Sequence, residues 1–426
     1  MSCELVTQGA TEPVPPRPHP LAPPRPAPQT ALMILERKAL TARAEGRHLD
    51  AVDTWREALR LDPDDWRVAL ELRQDLSAAY HYSESDPQFR RAARHLPDRE
   101  WLEHYAERHV YHASDLDVID ARGRALLSRT PDDPALHDVL GKAARQRRDW
   151  DAAVTAFGAA LALVPDNDEY AAKLAQAKRY QTFAAMPDAG EPYAVLVLNL
   201  DRNPDRWEEL QHQFRGCRAP VHRLAGVEGA RLAPPAVQRL TGQADAPRGT
   251  LGCFLSHAAA WQAVLDRGLS HALVVEDDVM PLVDLPARIT LPPGYDVCFA
   301  NSRLNRRADA ALTTRTLLEV MQDFPHWENA PGGDGYFVSA AGARALLDLA
   351  AADGFADDLD WRLLAYGIVD AAALAPGHAQ TELTRLHAGL PDRKPLAMYG
   401  MSPALIHTVG VSSDREDQNR LAEGRR

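Results

Sequence analysis

The sequence predicts an all-α helical repeat array followed by an α/β domain with a largely parallel sheet. Three observations lead there. Pro63, Pro97, Pro131 and Pro165 recur at a spacing of 34 residues. Two short apolar runs, residues 193–200 (YAVLVLNL) and 272–275 (ALVV), flank a longer helical pattern. The second run leads straight into an acidic triplet, Glu276-Asp277-Asp278.

Residues 1–30 come first and hold nine prolines. Proline lacks a backbone donor and favours an extended chain, so this stretch reads as a disordered, Pro-rich tail. From residue 31 the pattern turns helical. Shifted by three proline periods, Ala51 falls on Ala153, Trp55 on Phe157, Ala58 on Ala160 and Leu61 on Leu163. Small residues let two short helices approach, an aromatic fills the groove between them, and proline ends the unit. The two middle units are degenerate, although Phe89 and Ala92 keep the aromatic and small positions of one. The pattern resembles tetratricopeptide repeats over residues 32–166, with Gly141 at the small first-helix position of the last unit. Residues 169–183 read as a capping helix. The array, 31–185, is expected to bind a protein partner or to act as a spacer.

Residues 186–192 (MPDAGEP) form a turn-rich linker. Beyond it, helices are expected at about 251–267 and 340–352, alternating with the two strands.

The whole chain has 426 residues, 45% apolar, and a net charge of -12. That composition supports cores in two or three domains and argues against a nucleic-acid binder. Cys3, Cys217, Cys253 and Cys298 show no paired metal-ligand spacing and read as reduced thiols. Neither a membrane span nor a secretory signal is evident, so a cytoplasmic protein, at most peripheral to a membrane, is expected.

The acids carry the first chemical signal. Residues two apart on an extended segment share a face, so Glu276 and Asp278 are expected to converge, with Asp277 the weaker candidate. Hard oxygens at the mouth of a sheet suit Mg²⁺ or Mn²⁺ bridging a diphosphate. The second signal is Asn199-Leu200-Asp201-Arg202-Asn203-Pro204-Asp205-Arg206, leaving the first strand. Ligands of open α/β sheets bind outside the carboxyl ends of strands. Asn199 and Asp201 could address a base or ribose there, and Arg202 and Arg206 a phosphate. The third is Gly249-Thr250-Leu251-Gly252-Cys253-Phe254-Leu255-Ser256-His257, with Thr250 a plausible helix cap. A Cys253–His257 hydrolase is disfavoured because no third orienting group is identifiable.

In order and spacing these blocks resemble glycosyltransferase family 25, which includes lipopolysaccharide sugar transferases and collagen galactosyltransferases. The similarity extends to Leu224-Ala225-Gly226-Val227-Glu228-Gly229, Trp261 and Gly335-Tyr336-Phe337-Val338-Ser339, and covers roughly 193–365. It implies a GT-A-like nucleotide-binding domain over 193–426, a UDP-sugar donor, a divalent metal, and transfer to a hydroxyl acceptor such as a glycan. It makes Glu276, Asp277 and Asp278 the metal motif. It makes Asn199, Asp201, Arg202, Arg206, Ser256 and His257 donor-pocket candidates.

An inverting transfer needs a base for the acceptor proton. Asp358 and Asp360 lie where the family tends to place a further acid, and Asp334 is another option; Asp360 is the favoured one. Residues 366–400 match no family block, which leaves the acceptor open. A repeat scaffold with an inactive transferase-like domain is the alternative, and a nucleotidyltransferase a third.

Overall fold

A computed structural model of the chain describes residues 28–79, 86–183, 186–303, 311–322 and 332–409. The Pro-rich tail, apart from its last residues, and Cys3 lie outside the described residues. Among these residues no helix is long and apolar enough to cross a membrane.

The N-terminal region is helical. It contains α1 (Pro28–Ala44), α2 (His48–Leu61), α3 (Trp66–Ala78), α4 (Pro87–Ala93), α5 (Asp98–Trp101) and α6 (Glu107–His109). It continues through α7 (Leu116–Leu127), α8 (Pro134–Gln146), α9 (Trp150–Leu163) and α10 (Asp168–Thr182). Shifted by three proline periods, α2 coincides with α9, and the starts of α3 and α10 coincide. Ala51, Trp55 and Ala58 are buried, as are Ala153, Phe157 and Ala160. Gly141 is small for a reason: a Cβ there would meet the Phe157 ring at 2.6 Å.

Two buried carboxylates organise the array. Asp75 accepts from Arg43, from Trp55 Nε1 at 2.7 Å, and pairs with His48 at 2.8 Å. Asp115 gathers Arg90, Arg94 and the Tyr105 hydroxyl. Burial works against charge on each of them, and these partners outweigh it, so both carboxyls are held below the usual range.

After residue 190 the chain forms strands. They are β1 (Glu191–Pro192), β2 (Ala194–Asn199), β3 (Val221–Ala225), β4 (His271–Glu276), β5 (Val279–Pro281) and β6 (Arg288–Ile289). Then come β7 (Val297–Phe299), β8 (Thr313–Thr316), β9 (Gly335–Ser339), β10 (Met398–Ser402) and β11 (Ile406–Thr408). A seven-stranded sheet runs β3-β2-β4-β9-β7-β10-β8. Its helices are α11 (Pro204–Gln213), α12 (Pro234–Thr241), α13 (Arg248–Asp266), α14 (Leu317–Gln322), α15 (Ala340–Asp353), α16 (Leu359–Gly367) and α17 (His378–His387).

The expected largely parallel sheet is in fact mixed. β2 pairs in parallel with β3 and β4, and β7 with β10, while β9 runs antiparallel to both β4 and β7. The return of β9 into α15 depends on Gly342, whose missing Cβ would lie 2.2 Å from the Asp296 carbonyl oxygen. The segment 366–400, which matched no family block, supplies α17 and the approach to β10.

The array packs directly on the α/β half. Tyr180 donates to the Ala404 carbonyl and joins an apolar cluster with Met280, Leu282, Ala404 and Val409. Arg148 reaches the Gln213 carbonyl at 3.2 Å and Asp284 at 3.1 Å. The Ala113 N–H donates to Glu209 on α11 at 2.7 Å.

Removing residues 1–185 would uncover Met280, Leu282, Ala404 and Val409. The truncated protein is expected to melt below the whole chain and to self-associate, measured by calorimetry and light scattering. Equal melting without association would show that the α/β half needs no cover.

Candidate functional site

The site is built at the carboxyl ends of β2 and β4, which lie side by side with Leu198 opposite Glu276. Asn199 closes β2 and is buried. Its Nδ2 donates to Asp277 Oδ2 at 2.7 Å and to the Asn203 carbonyl at 2.9 Å. Its Oδ1 accepts from Arg223 Nε at 2.6 Å. Only this orientation of the amide satisfies both a carboxylate and a guanidinium.

The donor-pocket candidates therefore divide. Asn199 is a clamp on the acidic turn. Asp201 is exposed and paired with Arg223 at 2.7 Å. Arg202 faces Glu228 at 3.4 Å, and Arg206 faces Asp277 at 3.2 Å. The arginines expected to meet a phosphate are thus both carboxylate-paired in this structure. Ser256 is a lock rather than a pocket wall: it accepts from the Val227 N–H at 2.8 Å and donates to the Gly252 carbonyl at 2.7 Å. Thr250 is not the cap, because α13 begins at Arg248 with Pro247 in the capping position.

The acidic triplet departs from strand alternation. β4 ends at Glu276, and Asp277 and Asp278 form a turn. Glu276 approaches α13, with His257 Nε2 at 3.4 Å and Cys253 Sγ at 3.9 Å. Asp277 is tied to Asn199 and Arg206. Asp278 is half-buried; desolvation first, and then Glu276 and Asp277, push its carboxyl well above the ordinary range. Its Oδ1 has no hydrogen-bond partner among the described residues.

Around Glu276 stand the other predicted acids. The pairing of Val275 with Gly335 sets Glu276 beside Asp334 on the neighbouring strand. Asp334 is buried, bonded to Thr408 and to Arg303 Nε at 3.1 Å. Asp358 caps α16, accepting from the Asp360 N–H at 3.0 Å. Asp360 is half-buried and accepts from the Gly333 N–H at 2.6 Å. Burial raises its carboxyl to about 7, with Asp358, Glu276 and Asp334 adding to the effect.

His257 lies buried beside Glu276. Burial lowers its ring to about 4, so it is neutral at pH 7. Its Nδ1 lies 2.9 Å from the Tyr336 hydroxyl, which accepts from Trp261 Nε1 at 2.8 Å. Indole can only donate, so the phenol either donates its own proton to Nδ1 or accepts a second one from it. Both tautomers of His257 are compatible with this partner.

Sequence reasoning missed Arg303, the cation facing Asp334, and the clamp partner Arg223. It also missed Glu276 as the third group beside Cys253 and His257. No local pattern marks these residues: Arg223 and Glu276 reach the site through sheet register, and Arg303 from a turn beyond β7.

Replacing Asn199 with Asp would set two carboxylates against each other where a 2.7 Å hydrogen bond now runs. A loss of about 2 kcal/mol is expected, the scale of a hydrogen bond to a charged group. Chemical denaturation measures it, and unchanged stability would refute the clamp.

Residues 193–282 match the family described as Glycosyltransferase family 25 (LPS biosynthesis protein). Similar proteins include Procollagen galactosyltransferase 1 of Danio rerio, 27% identical over 36% of this chain and 28% of its own length. A Glycosyltransferase 25 family member of Drosophila melanogaster is 24% identical over 54% of this chain and 38% of its own. A Probable inactive glycosyltransferase 25 family member 3 of Bos taurus is 27% identical over 36% and 28%. The chain thus spans well under half the length of these relatives. Sequence similarity therefore gives a glycosyltransferase family 25 domain match at residues 193–282, the segment that carries β2, β4 and the acidic turn.

Proposed function

We propose that residues 193–426 form a GT-A-like glycosyltransferase domain that moves a sugar from a UDP-sugar to a hydroxyl acceptor. The acceptor in this reading is a glycan, of the lipopolysaccharide type that the family description names. Residues 31–185 are read as tetratricopeptide-like repeats that hold the domain near a protein partner or its acceptor.

The observation that carries the reading is Asp360. A carboxylate with a proton affinity near 7, within electrostatic reach of three further acids, is matched to taking a proton at neutral pH. In an inverting transfer the acceptor oxygen attacks the anomeric carbon as its proton passes to Asp360. The bond from that carbon to the diphosphate oxygen breaks, and the nucleoside diphosphate leaves. Asp334 suits the base role less, because Arg303 and Thr408 already hold it. Asp358 is occupied as a helix cap.

A divalent cation fits this donor set. The orphaned, buried Asp278 Oδ1, with Glu276, Asp277 and Asp334 within electrostatic reach, is an arrangement that a cation would relieve. To hold Mn²⁺ or Mg²⁺ together, Glu276 and Asp278, whose side chains face apart in this structure, would turn toward one ion, and Asp277 would stay with its clamp. When bound, the ion supplies charge neutralisation for the departing diphosphate.

The name of the Bos taurus relative favours a second reading, a repeat scaffold whose transferase-like domain is inactive. Calorimetry with UDP and Mn²⁺ separates the two. Binding that disappears in Asp278→Ala supports the transferase; no binding to the wild-type chain supports the scaffold.

Asp360→Asn is expected to lower kcat by about 100-fold or more, the usual contribution of a positioned base. Wild-type turnover should rise as pH increases through about 7. The stability effect has the opposite sign. A carboxyl raised on folding contributes stability below its unfolded value of about 4, and that contribution is lost as pH rises through about 7. The melting temperature of Asp360→Asn should therefore fall less than that of wild type between pH 5 and pH 8, pH values set on either side of about 7. Parallel melting profiles would remove Asp360 from the base role.

A further inference from the structure

We propose that Cys253, His257 and Glu276 form a three-ligand site for a soft divalent cation such as Zn²⁺ or Co²⁺, distinct in donor chemistry from the all-oxygen site above. Cys253 and His257 are four residues apart on α13 and so share one face of that helix. Glu276 arrives from the end of β4, and the three ligand atoms lie within 4.8 Å of one another.

The separations suit a tetrahedron. Zinc at about 2.0–2.1 Å from nitrogen and oxygen and about 2.3 Å from sulfur requires N–O and S–O edges of roughly 3.4 and 3.6 Å. The observed separations are 3.4 Å from His257 Nε2 to Glu276 Oε1 and 3.9 Å from Cys253 Sγ to the same oxygen. These two edges need only a few tenths of an ångström of side-chain adjustment, and the Cys253–His257 edge, within 4.8 Å, closes by side-chain rotation onto the same ion.

The surroundings match a metal site as well. Tyr336 holds His257 Nδ1 at 2.9 Å, which turns Nε2 toward Glu276. With a metal on Nε2, the ring donates from Nδ1 to the phenol oxygen, the outer partner that a ligating imidazole needs. Glu276 and Cys253 are only partly buried, so an ion can enter from solvent. Three protein ligands leave the fourth position open to water. Thiolate and imidazole select zinc or cobalt over Mg²⁺ and Mn²⁺, which prefer carboxylate oxygens. Because Glu276 belongs to both donor sets, the two ions compete for it.

Cobalt binding to the full-length protein tests this without any measurement of sugar transfer, so its failure is separable from failure of the transferase reading. Co²⁺ is expected to produce a thiolate-to-cobalt charge-transfer band that Cys253→Ser abolishes and Cys217→Ser retains. Mg²⁺ and Mn²⁺ in excess should not substitute for cobalt in producing it. No band, or a band that survives in a folded Cys253→Ser protein, overturns the proposal. Alkylation of the wild-type chain gives a second measurement that needs no variant. Zn²⁺ should protect the Cys253 peptide from iodoacetamide and leave the Cys217 peptide unprotected. Equal labelling of Cys253 with and without zinc also overturns it.

Discussion

The buried amide of Asn199 is the fixed point around which this site is built. Parallel pairing brings the ends of β2 and β4 together, but it does not orient the turn that follows β4. The Asn199 side chain does that, holding Asp277 with its nitrogen and Arg223 of β3 with its oxygen. Three strand ends are tied by one residue. Asp277 then takes Arg206 from α11 as its second partner. Its two neighbours in the triplet are left to face elsewhere, Glu276 toward α13 and Asp278 into the interior. The triplet is thus one clamped residue between two acids available for chemistry.

That clamp explains why the helical array matters to the site. α11 carries Arg206 and Glu209 three residues apart on one face, and Glu209 receives the Ala113 N–H from the array. A second tie comes from Arg148, which adopts φ 58. Shifted by three proline periods, its counterpart in the first unit is Gly46, at φ 72. A non-glycine residue in this left-handed region carries strain on the order of 1 kcal/mol. Arginine at 148 gains what glycine could not, bonds to the Gln213 carbonyl at the end of α11 and to Asp284. The repeat position nearest the α/β half has therefore exchanged backbone ease for an anchor.

Much of the array was legible because its rules are local. Ala51, Trp55 and Ala58 repeat as Ala153, Phe157 and Ala160, and the packing that this spacing implies is what forms. Strands β2 and β4 and helix α15 were legible from apolar pattern, to within a residue or two at their ends. The direction of β9 was not, because it is set by how closely Gly342 lets α15 approach Asp296, a contact between distant segments. The acids that lie around Glu276 were each legible in the sequence, but their arrangement was not. Strand alternation placed Glu276 and Asp278 together only if β4 continued, and it stops at Glu276. Arg206 reads as a phosphate ligand in isolation and as the partner of Asp277 once the clamp is known.

The crowding of acids around Glu276 is the feature that a purely structural account explains least well. Asp334 is buried and Asp278 and Asp360 are half-buried, and a desolvated carboxylate is costly unless paired. Arg303 offsets the cost at Asp334. Backbone N–H donation offsets part of it at Asp360, and Asp278 has neither kind of relief at Oδ1 among the described residues. The array shows that this chain can neutralise a buried carboxylate thoroughly, since Asp75 and Asp115 each gather several donors. The same chain leaves its C-terminal acids under-compensated. An arrangement that raises proton affinity at Asp360 and leaves Oδ1 of Asp278 without a hydrogen-bond partner among the described residues costs stability, a cost that the proposed base and cation site would account for.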